Sequence, residues 1–193
     1  MDADEWVELY KRLVYWDIEL SNTDDENIHE ILYSQKEEAN RQFCRFFEAN
    51  YEDWLNGRKE KPLMSPTVLR EKLFPMLKED IPTFLIVIDN LRFDHWKAMQ
   101  PIIEQYFRTD DEAIYYSILP TTTQYARNAL FAGLMPAEIQ KKYPQYWVNE
   151  DQEGHKNQYE SELLEEYLKR YGLPAKHSYY KVLNAQYGKK LID

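Results

Sequence analysis

The sequence predicts an α/β protein, with a helical bundle over residues 1–81 followed by a partial open sheet flanked by helices over 82–193. Three observations predict it. Apolar residues recur at three- and four-residue spacing near the start of the chain. A continuous apolar run, Phe84-Leu85-Ile86-Val87-Ile88, ends on Asp89-Asn90. A further run, Ala113 to Leu119, hands over to Pro120-Thr121-Thr122-Thr123-Gln124-Tyr125-Ala126-Arg127. The first pattern belongs to amphipathic helices, and the other two to strands that present polar side chains at their carboxyl ends, where open sheets bind ligands.

Trp6, Leu9, Leu13, Trp16 and Leu20 predict a helix over 4–20. Ser21-Asn22-Thr23-Asp24-Asp25 breaks it and supplies N-caps for the next. That second helix carries Ile28, Ile31, Leu32, Ala39, Phe43, Phe46, Phe47 and Trp54 to about Leu55. A short polar turn between the two makes an antiparallel hairpin, whose aromatic stripes require a third helix or a partner. Gly57-Arg58-Lys59-Glu60-Lys61-Pro62 is a charged break. Ser65-Pro66 caps a third helix, with Val68, Leu69, Leu73 and Phe74 facing inward. The boundary between the two parts falls near Pro82.

Residues 83–88, a continuous run rich in β-branched and aromatic residues, suit a strand buried on both faces. Phe93, Trp96, Met99, Ile102, Ile103 and Tyr106 give a helical stripe. Residues 113–119 form the next strand and 123–132 the next helix, ended by Gly133. A polar stretch from Asn149 to Asn157 precedes a helix over 158–171, closed by Gly172, and a further strand over 176–183.

Composition narrows the function. With 24 basic against 34 acidic residues, the chain lacks the clustered cations of a surface that coats nucleic acid, although a local anion pocket is compatible with it. Five glycines leave no glycine-rich dinucleotide loop. The sixteen tyrosines are scattered as amphipathic packing residues and make no basic stacking platform. Cys44 alone forms no internal disulfide, reads as a packed thiol, and fits a reducing, cytoplasmic compartment. No apolar run approaches a membrane span, and the start is acidic where a secretory signal is basic.

The chemistry gathers at the strand ends. An ionised Asp89 at the tip of a buried strand is costly unless coordinated, hydrogen-bonded or paired. It therefore reads as a metal ligand, as a cap of the following helix, or as a partner of Arg92. Asn90 and Arg92 read as loop-shaping residues. Thr123 is either an N-cap or a nucleophile, since a helix start offers amides and a positive dipole end to a phosphate oxygen. A threonine hydroxyl needs a base or a metal to attack, and a divalent ion held by Asp89 would serve. The run of threonines leaves open which hydroxyl acts. Arg127, one turn on, suits either a phosphate oxygen in fork geometry or a surface ion pair.

Leu119-Pro-Thr-Thr-Thr-Gln-Tyr-Ala-Arg-Asn-Ala-Leu-Phe-Ala-Gly-Leu-Met-Pro136, preceded by Leu85-Ile-Val-Ile-Asp-Asn-Leu-Arg92, resembles the opening of a PglZ domain of the alkaline phosphatase superfamily. Pro120, Thr121, Thr123, Gly133 and Pro136 match the frame of related phosphodiesterases, which selects Thr123 as nucleophile and metal ligand and Asp89 as the first metal-binding aspartate. Upstream, Trp6-Val-Glu-Leu-Tyr-Lys-Arg-Leu-Val-Tyr-Trp16, Lys36-Glu-Glu-Ala-Asn40 and Arg58 to Pro66 resemble the helical linker of PorX-type response regulators of type IX secretion. Tyr146-Trp-Val-Asn149 and Ser178-Tyr-Tyr-Lys-Val-Leu183 extend the likeness downstream.

The resemblance implies a partial alkaline-phosphatase-like sheet and a zinc cofactor, with two ions in the full protein. It implies hydrolysis of small cyclic or linear oligonucleotides or another phosphodiester, with Arg127 on the phosphate. Secretion-system and transcription-regulatory proteins are the implied partners, and a homodimer the expected assembly. The family also has a receiver domain and later ligands, an Asp-x-x-x-His pair, an Asp-His-Gly and a final His. Asp151 and His155 have the first spacing but lie in a polar loop, and Asp94-His95 is followed by Trp96. The sequence therefore reads as the middle of a longer protein, expected to be metal-poor and inactive alone. Two other readings stand beside this one: a regulatory adaptor that does not need catalysis, and a nucleotide-binding module without chemistry.

Overall fold

A computed structural model describes residues 1–77, 81–149, 151–173, 176–182 and 188–189. The helices are α1 (Ala3–Glu19), α2 (Glu26–Leu55), α3 (Phe93–Ile103), α4 (Thr123–Ala132), α5 (Pro136–Lys142) and α6 (Glu160–Arg170). The chain divides into two compact units, one of Met1–Met64 with Ile86–Tyr116 and one of Ser65–Leu85 with Ser117–Asp193. None of the described helices is long and apolar enough to cross a membrane.

In the first unit, a reciprocal capping box starts α1. The Glu5 amide donates to Asp2 Oδ1 and the Asp2 amide to Glu5 Oε2, both at 2.8 Å. Asp25 caps α2 by accepting from the Asn27 amide at 3.0 Å. The expected hairpin is present and antiparallel. Trp6, early in α1, lies 5.4 Å from the Phe43 ring, while Asp17, late in α1, pairs with Lys36 at 2.9 Å. The third helix that the aromatic stripes required is α3, whose Phe93 ring meets Tyr10 of α1 at 6.0 Å.

Phe43, Phe46, Phe47 and Trp54 recur on one face of α2, and Tyr116 closes the cluster. Its ring lies 6.1 Å from Phe43, 6.3 Å from Phe47 and 5.7 Å from Trp54. The Tyr116 hydroxyl donates to the Ala3 carbonyl at 2.7 Å, and its amide donates to the Leu63 carbonyl at 2.8 Å. Residue 116 thereby ties its segment to both the start of α1 and the segment after α2.

The expected sheet is absent: no β-strand occurs among the described residues. Met64 and Tyr116 form an isolated parallel bridge, not a ladder. Phe84 and Ile86, expected in the middle of a doubly buried strand, are 87% and 79% exposed. Residues 113–119 do bury Tyr116 and Ile118, yet they carry no strand pairing beyond that bridge. The described part of the third expected strand, 176–182, is likewise not a strand, and Leu183 lies outside the described residues. The reason is physical. An apolar run records a preference for burial, whereas a strand also needs neighbours for its amides and carbonyls.

Two helical expectations also shift. The helix expected from Pro66 is a single π-helical turn, Leu69–Leu73, running into a 3-10 turn, Phe74–Met76. Pro75 has no amide to donate and so interrupts an α-helical ladder there. The short helix α5 was not expected. The Met135 amide donates to Glu138 Oε2 at 2.8 Å, which starts it behind Pro136.

The core of the second unit is built from Leu69, Phe74, Leu130, Phe131, Ile139, Leu163, Tyr167 and Leu168. Gly133 ends α4 at φ +60, and a Cβ placed there would lie 2.0 Å from the Tyr167 ring. The Tyr167 hydroxyl in turn donates to the Pro66 carbonyl at 2.9 Å. Glycine is thus required twice, by backbone conformation and by the approach of α6.

Gly133→Ala is expected to destabilise the second unit by more than about 2 kcal/mol, left-handed strain and overpacking acting together. Urea unfolding followed by circular dichroism measures it, and a change below experimental error would contradict the contact. A second expectation concerns alkali. Burial first, and the carboxylates of Asp4 and Asp2 after it, push the Tyr116 phenol up to about 12. The folded state thus favours the neutral phenol. The contribution is complete below the ordinary tyrosine range near 10 and is lost as pH rises through about 12. Ultraviolet titration of Tyr116→Phe should lack one late-ionising phenol relative to the parent.

Candidate functional site

The threonine run turns into α4 at Thr122, whose extended backbone (ψ 144) makes it the N-cap residue, so Thr123 is the first residue inside the helix. The Thr122 carbonyl accepts from the amides of Tyr125 at 2.9 Å and Ala126 at 3.0 Å. No side chain caps the helix, and Thr121, Thr122 and Thr123 are all exposed. The capping role that sequence allowed Thr123 therefore belongs to its neighbour, and even there it is made by the backbone alone.

Behind this helix start lies a carboxamide relay. Asn157 Nδ2 donates to the Thr123 carbonyl at 3.0 Å and to Asn128 Oδ1 at 3.2 Å. Buried Asn128 donates from Nδ2 to the Lys156 carbonyl at 3.1 Å. A carbonyl only accepts, so each amide group is oriented without ambiguity. Lys181 Nζ holds the same residue by donating to the Asn157 backbone carbonyl at 3.0 Å.

Arg127, one turn into α4, engages Glu160. Its Nη2 lies 2.5 Å from Oε1 and 2.6 Å from Oε2, and the Glu160 side chain is 0% exposed. Lys181 Nζ stands 3.3 Å from the same carboxylate, and the Tyr179 hydroxyl donates to Oε2 at 2.5 Å. Burial, and then this hydrogen bond to Glu160, push the Tyr179 phenol well above its ordinary value. The cluster ties α4, α6 and residues 176–182 together around one buried charge.

Thr123 and Arg127 thus share α4 in the second unit. Asp89 belongs to the first unit, on an exposed turn closed by the Leu91 amide donating to the Ile88 carbonyl at 3.4 Å. Asn90 there adopts φ +60, a conformation that asparagine tolerates better than most residues. Burial first and the Asp89 charge second raise the neighbouring Tyr115 phenol. Arg92 pairs with Asp94, to which its Nε donates at 3.0 Å. That guanidinium holds the Asp94 carboxyl down at about 2.

Asp151 and His155 are exposed, and Asp94 and His95 sit in α3. A catalytic zinc takes at least three protein ligands. Among the described residues no three His, Cys, Asp or Glu side chains group to hold a metal, so these residues alone do not make up a zinc site.

Sequence reasoning missed Asn128, Asn157, Glu160, Tyr179 and Lys181. Glu160 reads as an ordinary acid in the first turn of α6, and only the folded contacts reveal it as buried. Arg127→Ala is expected to cost about 3 kcal/mol of stability, because it removes the closest cation from an enclosed carboxylate. The double variant Arg127→Met with Glu160→Leu should recover most of that loss in denaturant unfolding. Equal losses in the single and double variants would deny the pairing.

Residues 1–55 match the model of the PorX response regulator linker domain. Residues 68–193 match that of the BREX system PglZ alkaline phosphatase-like domain. No curated protein matches the chain. The chain belongs to the PglZ family of alkaline-phosphatase-like domains, here preceded by a linker of the PorX response-regulator type.

Proposed function

We propose that this chain works within a two-component response regulator controlling type IX secretion, and that its PglZ domain is a zinc-dependent phosphodiesterase. The substrates are small cyclic or linear oligonucleotides, and Thr123 is the nucleophile. The observation that carries the reading is an exposed threonine hydroxyl at the first position of a helix without a side-chain cap, in a chain of alkaline-phosphatase-like family.

In this reading, Thr123 Oγ1 gives its proton to solvent and bonds to phosphorus while the ester oxygen on the opposite side departs and takes a proton from solvent. Water then attacks the phosphothreonine, releasing the phosphate product and the free hydroxyl. Amides at the start of α4 receive a non-bridging phosphoryl oxygen. Asn157 holds the Thr123 carbonyl, and with it the direction in which the hydroxyl projects. Arg127 contributes positive charge one turn away, reduced by its partner Glu160. Zinc, when bound, would neutralise phosphoryl charge and lower the pKa of the attacking hydroxyl. Asp89 and Thr123 offer two donors toward it, and the described residues do not complete the set. The protein acts in the cytoplasm as a homodimer, with secretion-system and transcription-regulatory proteins as partners.

The engagement of Arg127 with Glu160 favours a second reading, a regulatory adaptor whose PglZ fold binds proteins without hydrolysis. Zinc analysis and a phosphodiester assay on the full regulator separate the two. Thr123→Val should lower turnover of a linear dinucleotide at least about a thousandfold while leaving the thermal midpoint unchanged. Undiminished turnover in that variant would remove Thr123 from the role. Absent turnover in the zinc-loaded parent would favour the adaptor.

A further inference from the structure

The second unit carries an open cleft of about 330 Å³ lined by Gln124, Tyr125, Pro136, Gln140, Trp147 and Asn149, with no charged side chain among the described lining residues. The volume lies at the lower end of the range for small-molecule pockets and is sufficient for one ring system. The Tyr125 and Trp147 rings touch, with centroids 5.9 Å apart and planes tilted by 40°. A planar ligand therefore lies across these rings and not between them.

The carboxamides in the wall are oriented by unambiguous neighbours. The Trp147 indole N–H can only donate, and it meets Asn149 Oδ1 at 3.1 Å. Gln140 Nε2 donates to the same oxygen at 3.2 Å. Gln124 Nε2 donates to the Val148 carbonyl at 2.9 Å. These bonds engage one end of each amide. The opposite ends, the Asn149 amino group and the Gln140 and Gln124 carbonyls, have no hydrogen-bond partner among the described residues. The wall thus offers neutral donors and acceptors next to aromatic faces.

We infer that this cavity is a nucleobase subsite, in which a base stacks across Tyr125 and Trp147 and meets the carboxamides of Gln140 and Asn149 with its polar edge. A neutral wall disfavours an ionic group, aromatic faces favour a planar one, and paired amide donors and acceptors match a heteroaromatic edge. The identification of the ring as a nucleotide's base rests on the phosphodiesterase reading of Thr123. Gln124 and Tyr125 directly follow the threonine in the first turn of α4, so the subsite and the proposed nucleophile share one short helix.

The test needs binding alone and therefore no metal or turnover. The 193-residue chain is titrated with the four 5′-ribonucleoside monophosphates and with ribose 5-phosphate, and followed by nuclear magnetic resonance. The nucleotides should shift the Trp147 indole and Asn149 side-chain resonances and bind at least about tenfold more tightly than the base-free sugar phosphate. Tyr125→Ala should weaken the nucleotides roughly five- to a hundredfold, a stacked base being worth about 1–3 kcal/mol. Gln140→Ala, at an exposed position that leaves the core intact, should weaken them and change their rank order. Equal affinity for ribose 5-phosphate, or nucleotide affinity untouched by Gln140→Ala, overturns the subsite. Nucleotide binding lost in these variants supports it even where Thr123→Val leaves turnover unchanged, so the two readings fail separately.

Discussion

A carboxylate with no solvent must be answered by cations that the fold itself brings to it, and Glu160 imposes that demand on the second unit. Arg127 answers from α4, and Lys181 with Tyr179 answers from residues 176–182. Glu160, Arg127 and the 176–182 segment come from separate stretches of chain, so ordering one helps order the others. The consequence for chemistry is local. The helix that exposes Thr123 is held from its second turn by charge, and from its first turn by the Asn157 amide. An exposed hydroxyl on a frayed helix end would sample many directions. Here the backbone beneath it is bonded on the inner side, while the outer side is left to solvent.

What was readable in the sequence depended on whether local chemistry was sufficient. The capping box of Asp2 and Glu5, the Asp25 cap and the left-handed glycines 133 and 172 act within a few residues, and each helix they bound was legible. Phe84, Ile86 and Ile88 show the opposite case. Their run specifies an apolar surface, but pairing requires a second segment in register, about which a single run is silent. Tyr116 combines both lessons. Its segment was correctly apolar, yet the residue is buried by aromatic side chains from α2 and by a hydroxyl bond to Ala3, not by a sheet.

The same division governs the site. The placement of Thr123 and Arg127 one turn apart on a helix was legible, because the helix start was. Their partners were not. Asn157 sits in a polar stretch whose composition says loop, and Glu160 sits where acids commonly complement a helix dipole. Neither position carries a mark that distinguishes a buried, bonded side chain from a solvated one. Asp89 is a different matter. Its expected setting was inherited from the strand, so when that run proves exposed the carboxylate is found on an open turn with Tyr115 as a neighbour.

Charge supplies the last step. The chain carries a formal net charge of −10, so its surroundings as a whole repel a phosphodiester. At α4, Arg127 and Lys181 both gather on Glu160, near a helix start that adds its own partial positive end. Glu160 therefore does two things at once. It keeps two cations gathered at α4, where unpaired they would repel one another, and it lowers their combined pull on an anion. In the proposed phosphodiesterase reading, such an arrangement would attract a phosphodiester only modestly and leave discrimination between ligands to the aromatic wall of Tyr125 and Trp147.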